Sequence, residues 1–579
     1  MRTLLKGRGR RMLRAAALIF LGILPAAAQD VLYDPLFRAQ PVRIVPHAEL
    51  NRWKLSTALV RLPNHKLAIM VRDKGGGMQP FLVRGIETGY WDTRRANQNT
   101  DFDQVFANYR RLGANTSFFM IHWADIEPAD GKFDFSYTDR IVELARKHGV
   151  KLWWVLFLHC QSDHPPELRD YWAYKIDTRE GKNYAMQWLR DENGVVYDSM
   201  AKLATLPGRW EINPAYGHPQ VFPKILRMLT RLGEYYRDSA TVLGVQIDNE
   251  AGFGYYTPRG TAGPQKLESD FNPVTAQIFE EWKLKTGKSD WRAFKLAIVK
   301  YWWKQFTTAF HKGDPYKLTS FNFLGANAEA GNAYWIDLEG VDVTTYGEGN
   351  IDVVSSMFYG PNNGPKVWAN LDQHYNFAYE LPIFISSEIG LGSRFGSEAL
   401  FQQYVINSLE RGAQGYASYD YGSLMGEGGQ PNSYGVFFRN LAAMVEACED
   451  VLHGGVPGPG RVWIASATPG AKVSMLTAPT GTVGILHFPE AAFRPASEKG
   501  VPPADADVEI RALVAGDYTV QVYRAGKLAE SSVVSLKVNQ SHRFAVPQMG
   551  QTEAVFVKVL NPRPASSTGR GSTTGGKKP

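Results

Sequence analysis

Two glutamates in this chain each stand at the end of an apolar run. Glu250 closes Val242-Leu-Gly-Val-Gln-Ile-Asp-Asn-Glu, and Glu388 closes Leu381-Pro-Ile-Phe-Ile-Ser-Ser-Glu. Two carboxyl groups about 5–5.5 Å apart can cleave a glycosidic bond with retention, one protonating the leaving oxygen while the other attacks the anomeric carbon. Residues this distant in sequence meet at that spacing when they occupy the C-terminal ends of different strands in one parallel barrel. Asn249, beside Glu250, suits a donor to a sugar 2-hydroxyl, a bond that strengthens in an oxocarbenium-like transition state. An Asn-Glu dipeptide arises by chance in a chain of 579 residues; its place after an apolar strand singles this one out.

The elements that must position these groups follow a βα rhythm. From about residue 78 to 453, β-type apolar runs alternate with helical patterns, the signature of a parallel sheet. Candidate strands are 81–86, 115–123, 151–158, 242–247, 318–324, 382–387 and 414–419, with the sixth at either 341–346 or 352–359. Helical patterns occupy 103–112, 137–148 and 223–237, the first two stopped by Gly113 and Gly149. Eight strands predict a (β/α)8 TIM barrel, with Glu250 and Glu388 after the fourth and seventh. The long irregular stretch 161–217 falls between strands three and four, where barrel loops commonly build a pocket.

Flanking regions differ in character. Residues 29–77 read as a β-rich lead-in. Gly454–Gly460 reads as a linker to a β-sandwich over 454–560, where 508–513 and 518–523 alternate cleanly. The Ser-, Thr-, Gly- and Lys-rich tail 561–579 reads as disordered. At the N-terminus, Arg2, Lys6, Arg8, Arg10, Arg11 and Arg14 precede the apolar run Ala15–Leu24 and Ala26-x-Ala28. This is the pattern of a signal peptide over 1–28, with the protein exported to the periplasm or secreted. The run is shorter than the roughly 20 apolar residues of a membrane span.

The net charge of +7 is concentrated at the two ends, which leaves −3 on the residues between. A near-neutral body lacks the clustered cations of a nucleic-acid footprint. Cys160 and Cys448 are too few for a disulfide scaffold or a four-cysteine zinc site. His159, Cys160, Asp163 and His164 do not match a standard zinc spacing, so neither metal nor cofactor is expected. Aromatic residues reach 12%, which suits a ligand site with sugar-stacking faces and equally a bulky core.

With the motifs in place, a resemblance emerges. A strand-four Asn-Glu and a strand-seven Glu resemble glycoside hydrolase clan A, the "4/7" barrel superfamily. Gly113–Phe135 resembles the second strand and following loop of β-galactosidase families 35 and 42, and Val245-Gln-Ile-Asp-Asn-Glu-Ala-Gly252 is similar to the family 35 acid/base motif. The resemblance covers roughly 80–450. It implies a retaining β-glycosidase acting on terminal sugars of plant or algal oligo- and polysaccharides, with Glu250 as acid/base, Glu388 as nucleophile and Asn249 at the 2-hydroxyl. It also implies a strand-six tyrosine bonded to the nucleophile, for which Tyr346 and Tyr359 compete. An aromatic platform ending strand eight would be Tyr419 or Tyr421, although packing explains these two as well. Trp123 and Glu127 stand where they could contact sugar hydroxyls, or simply shape their loop. The family 42 cysteine cluster is absent, and no clear glutamate ends strand three. The alternatives are an endo-acting clan-A mannanase or glucanase and a non-catalytic carbohydrate-binding protein.

Overall fold

The computed structural model describes residues 33–52, 54–73, 75–88, 100–158, 175–176, 183–184, 216–249, 273–322, 340–347, 350–358, 379–392, 396–489, 504–550 and 552–562. Four short strands come first: β1 (Ile44–Pro46), β2 (Thr57–Arg61), β3 (Leu67–Arg72) and β4 (Met78–Pro80), in that order in one sheet. Eight parallel strands then close into a barrel. These are β5 (Val83–Thr88), β6 (Thr116–His122), β7 (Lys151–Phe157), β8 (Val242–Ile247), β9 (Leu318–Asn322), β10 (Val353–Phe358), β11 (Ile383–Gly390) and β12 (Gly415–Tyr419). The (β/α)8 expectation is therefore met.

Strands buried on both faces read as unbroken apolar runs, which explains why the sequence revealed them. In β7, Trp153, Val155 and Phe157 point into the barrel, whereas Leu152, Trp154 and Leu156 pack on the helices. Those helices include α1 (Phe102–Arg111), α2 (Ser136–His148), α3 (Phe222–Tyr236), α4 (Pro273–Thr286), α5 (Trp291–Gly313), α6 (Glu398–Glu410) and α7 (Ser433–Ala447). Gly244 is required where β8 meets β9, because a Cβ there would lie 2.4 Å from the Leu318 carbonyl oxygen.

The lead-in forms the barrel floor. Leu59, Leu67, Ile69 and Val71 of the β2–β3 hairpin share one core with the inward residues Val83, Phe118, Trp153 and Leu243. Its other face packs on Val45 and Leu50 through Ala58, Val60 and Met70. Hydrogen bonds seal the joint: Gln414 Oε1 accepts from the Ile69 amide at 3.1 Å, and Asp352 Oδ1 from the Val42 amide at 2.8 Å. Asp352 also accepts from the Thr319 amide and hydroxyl, and lies 2.9 Å from His311.

The sixth strand is β10, so of the two expected positions the later one forms it. Residues 340–347 and Asn350 lie along α5 instead. Gly340 approaches Lys295, Lys300 donates to Thr344, and Thr307 donates to the Asn350 carbonyl. This places the 3-10 turn Val343–Tyr346 against α5.

After the barrel the chain builds two packed antiparallel sheets. One contains β13 (Val456–Pro457), β15 (Lys472–Ala478), β16 (Gly481–His487), β21 (Val555–Leu560), β18 (Gly516–Arg524) and β19 (Lys527–Leu536), once β14 (Val462–Ala465), β17 (Ala504–Ala512) and β20 (Ser541–Met549) are set aside as the second. Val462, Ile464, Val508 and Ile510 of the smaller sheet meet Val520, Val522, Val557 and Val559 of the larger. The glycine-rich stretch expected as a linker is tied down: Val456–Pro457 pairs with β15, and the buried Lys66 ammonium donates to the Leu452 and Gly455 carbonyls. The sandwich meets the barrel through His487, whose ring bonds Gln403 of α6 at 3.0 Å and Ser474 at 3.1 Å.

Among the described residues no helix is long and apolar enough to cross a membrane. Cys448 is a buried free thiol whose pKa burial pushes up to about 12; Cys160 lies outside the described residues.

Candidate active site

With the floor packed by the β2–β3 hairpin, the open end of the barrel is the one where strands terminate. Glu388 belongs to this end for a local reason. Along β11, Ile383 and Ile385 point inward and Phe384 outward, so strict alternation would turn Glu388 toward the helices. The register instead slips by one residue between Ser386 and Ile389 on the β12 side, and between the partners of Ser355 and Met357 on the β10 side. This bulge restores Glu388 to the inner face, beside Met357, while Ser386 bonds Ser408 of α6 on the outside.

Asn322, the last residue of β9, meets Glu388 across the barrel. Its amide nitrogen lies 3.0 Å from Glu388 Oε2 and 2.8 Å from Asn249 Oδ1. Asn249 Oδ1 also accepts from Gln246 Nε2 at 3.2 Å. A polar chain thus runs from strand four through strand five to strand seven, and Asn322, Gln246 and Glu388 are nearly fully buried within it.

The turn that delivers Asn249 is held by Asp248. Asp248 has a left-handed backbone (φ 66°), which Asp tolerates better than most residues. Its carboxylate accepts from the Leu158 amide at 3.0 Å, from the Asn249 amide at 3.0 Å and from the Tyr216 hydroxyl. The end of strand three, the end of strand four and the far side of the 161–217 insertion are joined at this one side chain. Glu250 follows immediately and lies outside the described residues, as do Tyr359 and the His159–His164 cluster.

Other expected site residues have different fates. Tyr346 is fully buried in a 3-10 turn outside the barrel strands, so it is not the strand-six tyrosine. Trp123 and Glu127 turn toward each other, with Nε1 donating to Oε2 at 2.9 Å. The other Glu127 oxygen accepts from the Gly131 amide at 2.9 Å and from Arg227 of α3 at 2.5 Å, and both residues are buried. This pair braces the loop after strand two, the loop-shaping alternative for these residues. Tyr421 stacks on Tyr109 with ring centroids 5.9 Å apart and accepts from Asn108 at 2.7 Å, which makes it a packing residue. Tyr419 is half-buried, pairs with Gly390, and shares the inward face of Ala417.

Sequence reasoning missed Asn322, Glu87 and His122. By alternation Glu87 on β5 shares the inward face of Val83, and His122 ends β6 on the face of Phe118 and Met120, its ring 5.3 Å from Phe157. A polar side chain at or next to the C-terminal end of its strand is what the three share. Among the described residues no cluster of His, Cys, Asp and Glu could hold a metal ion.

No family model matches the chain. Over 142 residues, 24% of its length, it is 25% identical to a β-galactosidase BgaB of Geobacillus sp. (strain Y412MC61), and equally so to one of Geobacillus kaustophilus. The chain spans about a fifth of the length of these curated relatives, 18% in each case. Its structural neighbours are glycoside hydrolases. They include a β-galactosidase from Bacillus circulans sp. alkalophilus (TM-score 0.46, 10% identity, covering 83% of this chain and 99% of that one). A family 30 endoxylanase from Clostridium papyrosolvens C71 gives 0.45 at 10% identity, over 90% of this chain and 99% of that one. A family 5 hydrolase from Bacteroides vulgatus ATCC 8482 gives 0.44 at 10% identity, over 87% and 94%.

Proposed function

We propose that this chain is an exported, retaining β-glycosidase of the β-galactosidase type that removes terminal sugars from oligo- or polysaccharides. Glu388 acts as nucleophile and Glu250 as acid/base. The observation that carries the reading is the meeting of Asn249, Asn322 and Glu388 at the open end of the barrel. It brings the residue adjoining Glu250 within one bridging amide of the carboxylate that would attack.

In this reading the ionised Glu388 adds to the anomeric carbon while Glu250 gives its proton to the departing glycosidic oxygen. Water then attacks the glycosyl ester with Glu250 as base, and Glu388 leaves as carboxylate. The nearby charge of Glu388 favours a protonated Glu250, a bias that ends once the ester forms. Asn249 donates to the 2-hydroxyl, with Tyr419 at the same end of the barrel.

The test is hydrolysis of aryl β-galactoside, glucoside, mannoside, xyloside, fucoside and arabinoside by the mature protein, alongside Glu388→Gln. Galactoside turnover lost in the variant supports the whole reading. Preference for another sugar keeps the mechanism and replaces the substrate. Cleavage within polysaccharide chains and not at their ends replaces exo with endo action. Sugar binding with no hydrolysis of any substrate defeats the enzyme reading.

A further inference from the structure

We infer that Asn322 is a positioning residue that couples the nucleophile to the sugar-binding amide, fixing which way Asn249 presents its hydrogen-bond donors. The inference rests on the proposed function and deepens it.

An asparagine amide offers two N–H donors on one side and a carbonyl on the other. Asn322 directs its nitrogen at two acceptors, Glu388 Oε2 at 3.0 Å and Asn249 Oδ1 at 2.8 Å, one hydrogen for each. The reverse orientation would set its carbonyl against a carboxylate, so the charge on Glu388 selects the observed one. That choice propagates. Asn249 Oδ1 takes a second bond from Gln246 Nε2 at 3.2 Å, filling both lone pairs of the carbonyl. Turning Asn249 over would bring its NH2 against two other NH2 groups. Its nitrogen is therefore held away from Asn322 and Gln246, and among the described residues no acceptor meets it. A sugar hydroxyl at the open end of the barrel is the acceptor this arrangement suits.

Asn322 is 1% exposed and has the Met357 sulfur 3.8 Å from the same nitrogen, so its position is set by packing before any ligand arrives. A bond donated to a carboxylate is stronger than one between neutral groups, and it keeps the ionised, nucleophilic form in place. Asn322 touches both groups and contributes no atom to the reaction.

The experiment compares wild type, Asn322→Ala, Asn322→Asp and Glu388→Gln on the best aryl β-glycoside of the panel and on its 2-deoxy counterpart, with thermal unfolding of each protein. The expected result is a loss in kcat/KM of about ten- to a hundredfold for Asn322→Ala, the size of one or two charge-assisted bonds. Asn322→Asp, the same shape with a charge facing Glu388 and no donor, should lose more. The Ala penalty should also shrink on the 2-deoxy substrate, because the hydroxyl that Asn249 serves is gone. If Asp is milder than Ala and both substrates suffer equally, Asn322 only fills space and the inference fails, while an inactive Glu388→Gln leaves the functional reading standing. Turnover that survives Glu388→Gln overturns both, since Asn322 then has no nucleophile to hold. Should Asn322→Asp not fold, the ratio between the two substrates in Asn322→Ala decides.

Discussion

Tyr216 donates its hydroxyl to the buried carboxylate of Asp248, so the far end of the long insertion is bonded to the turn that presents Asn249. Removing the carboxylate would take an acceptor from the Leu158 and Asn249 amides and from that phenol. Asp248→Ala is expected to cost about 2–4 kcal/mol in urea unfolding, and to lower kcat as the turn at Asn249 loses its anchor. Asp248→Asn tolerates the left-handed backbone and keeps one acceptor, so it should fall between. An Ala variant with unchanged kcat would show that the turn holds its shape without this side chain.

The two glutamates differ in how their loss can be rescued. Glu250→Ala should lower kcat about 10²–10⁴-fold on substrates with poor leaving groups. On an activated aryl glycoside, where the glycosyl ester forms without acid assistance, added azide should restore turnover and give a β-glycosyl azide. Azide with Glu388→Ala should instead give the α-azide, because the small anion takes the nucleophile's place. Product NMR reads the two configurations, and the opposite pairing would exchange the roles of the two residues.

Glu127 offers a test of brace against ligand contact. Its carboxylate joins Trp123, Gly131 and Arg227, so Glu127→Ala is expected to destabilise the fold by about 2–4 kcal/mol. KM should move little at temperatures where the variant remains folded. A large rise in KM with unchanged melting would return Glu127 to the substrate site.

Acidification should loosen the joint between barrel and sandwich. Burial pushes His487 down from 6.5 to about 3, with the charge of Lys472 as a smaller cause. The unfolded chain takes up this proton as pH falls through 6.5, whereas the folded protein does so only near 3. The contribution is thus complete above 6.5 and lost progressively below it, about 1.4 kcal/mol per pH unit for a group that stays neutral in the fold. His453, pushed down to about 4 by burial, acts in the same direction. In urea unfolding at pH 7, 6 and 5, His487→Gln should lose stability less steeply than wild type. Parallel slopes would mean that His487 is protonated within the fold.

The barrel was legible because its strands are covered on both faces, so β7 and β11 appear as plain apolar runs. What periodicity could not supply was the displacement that puts function on such a strand. The bulge at Ser386–Ile389 has no compositional mark, yet it turns Glu388 inward. Asn322 was hidden because the apolar pattern runs on to Leu324, placing it inside a strand that actually ends there. Glu87 lies one residue beyond the first strand as the pattern set it. Tyr346 misled for the opposite reason: Val341–Tyr346 alternates well enough for a strand, but it forms a 3-10 turn packed against α5.

The packed floor closes one end of the barrel. Leu59, Leu67 and Ile69 fill the end opposite Glu388, so a ligand cannot pass straight through the barrel along its axis. If entry and exit share the other end, departure of one ligand becomes a condition for arrival of the next.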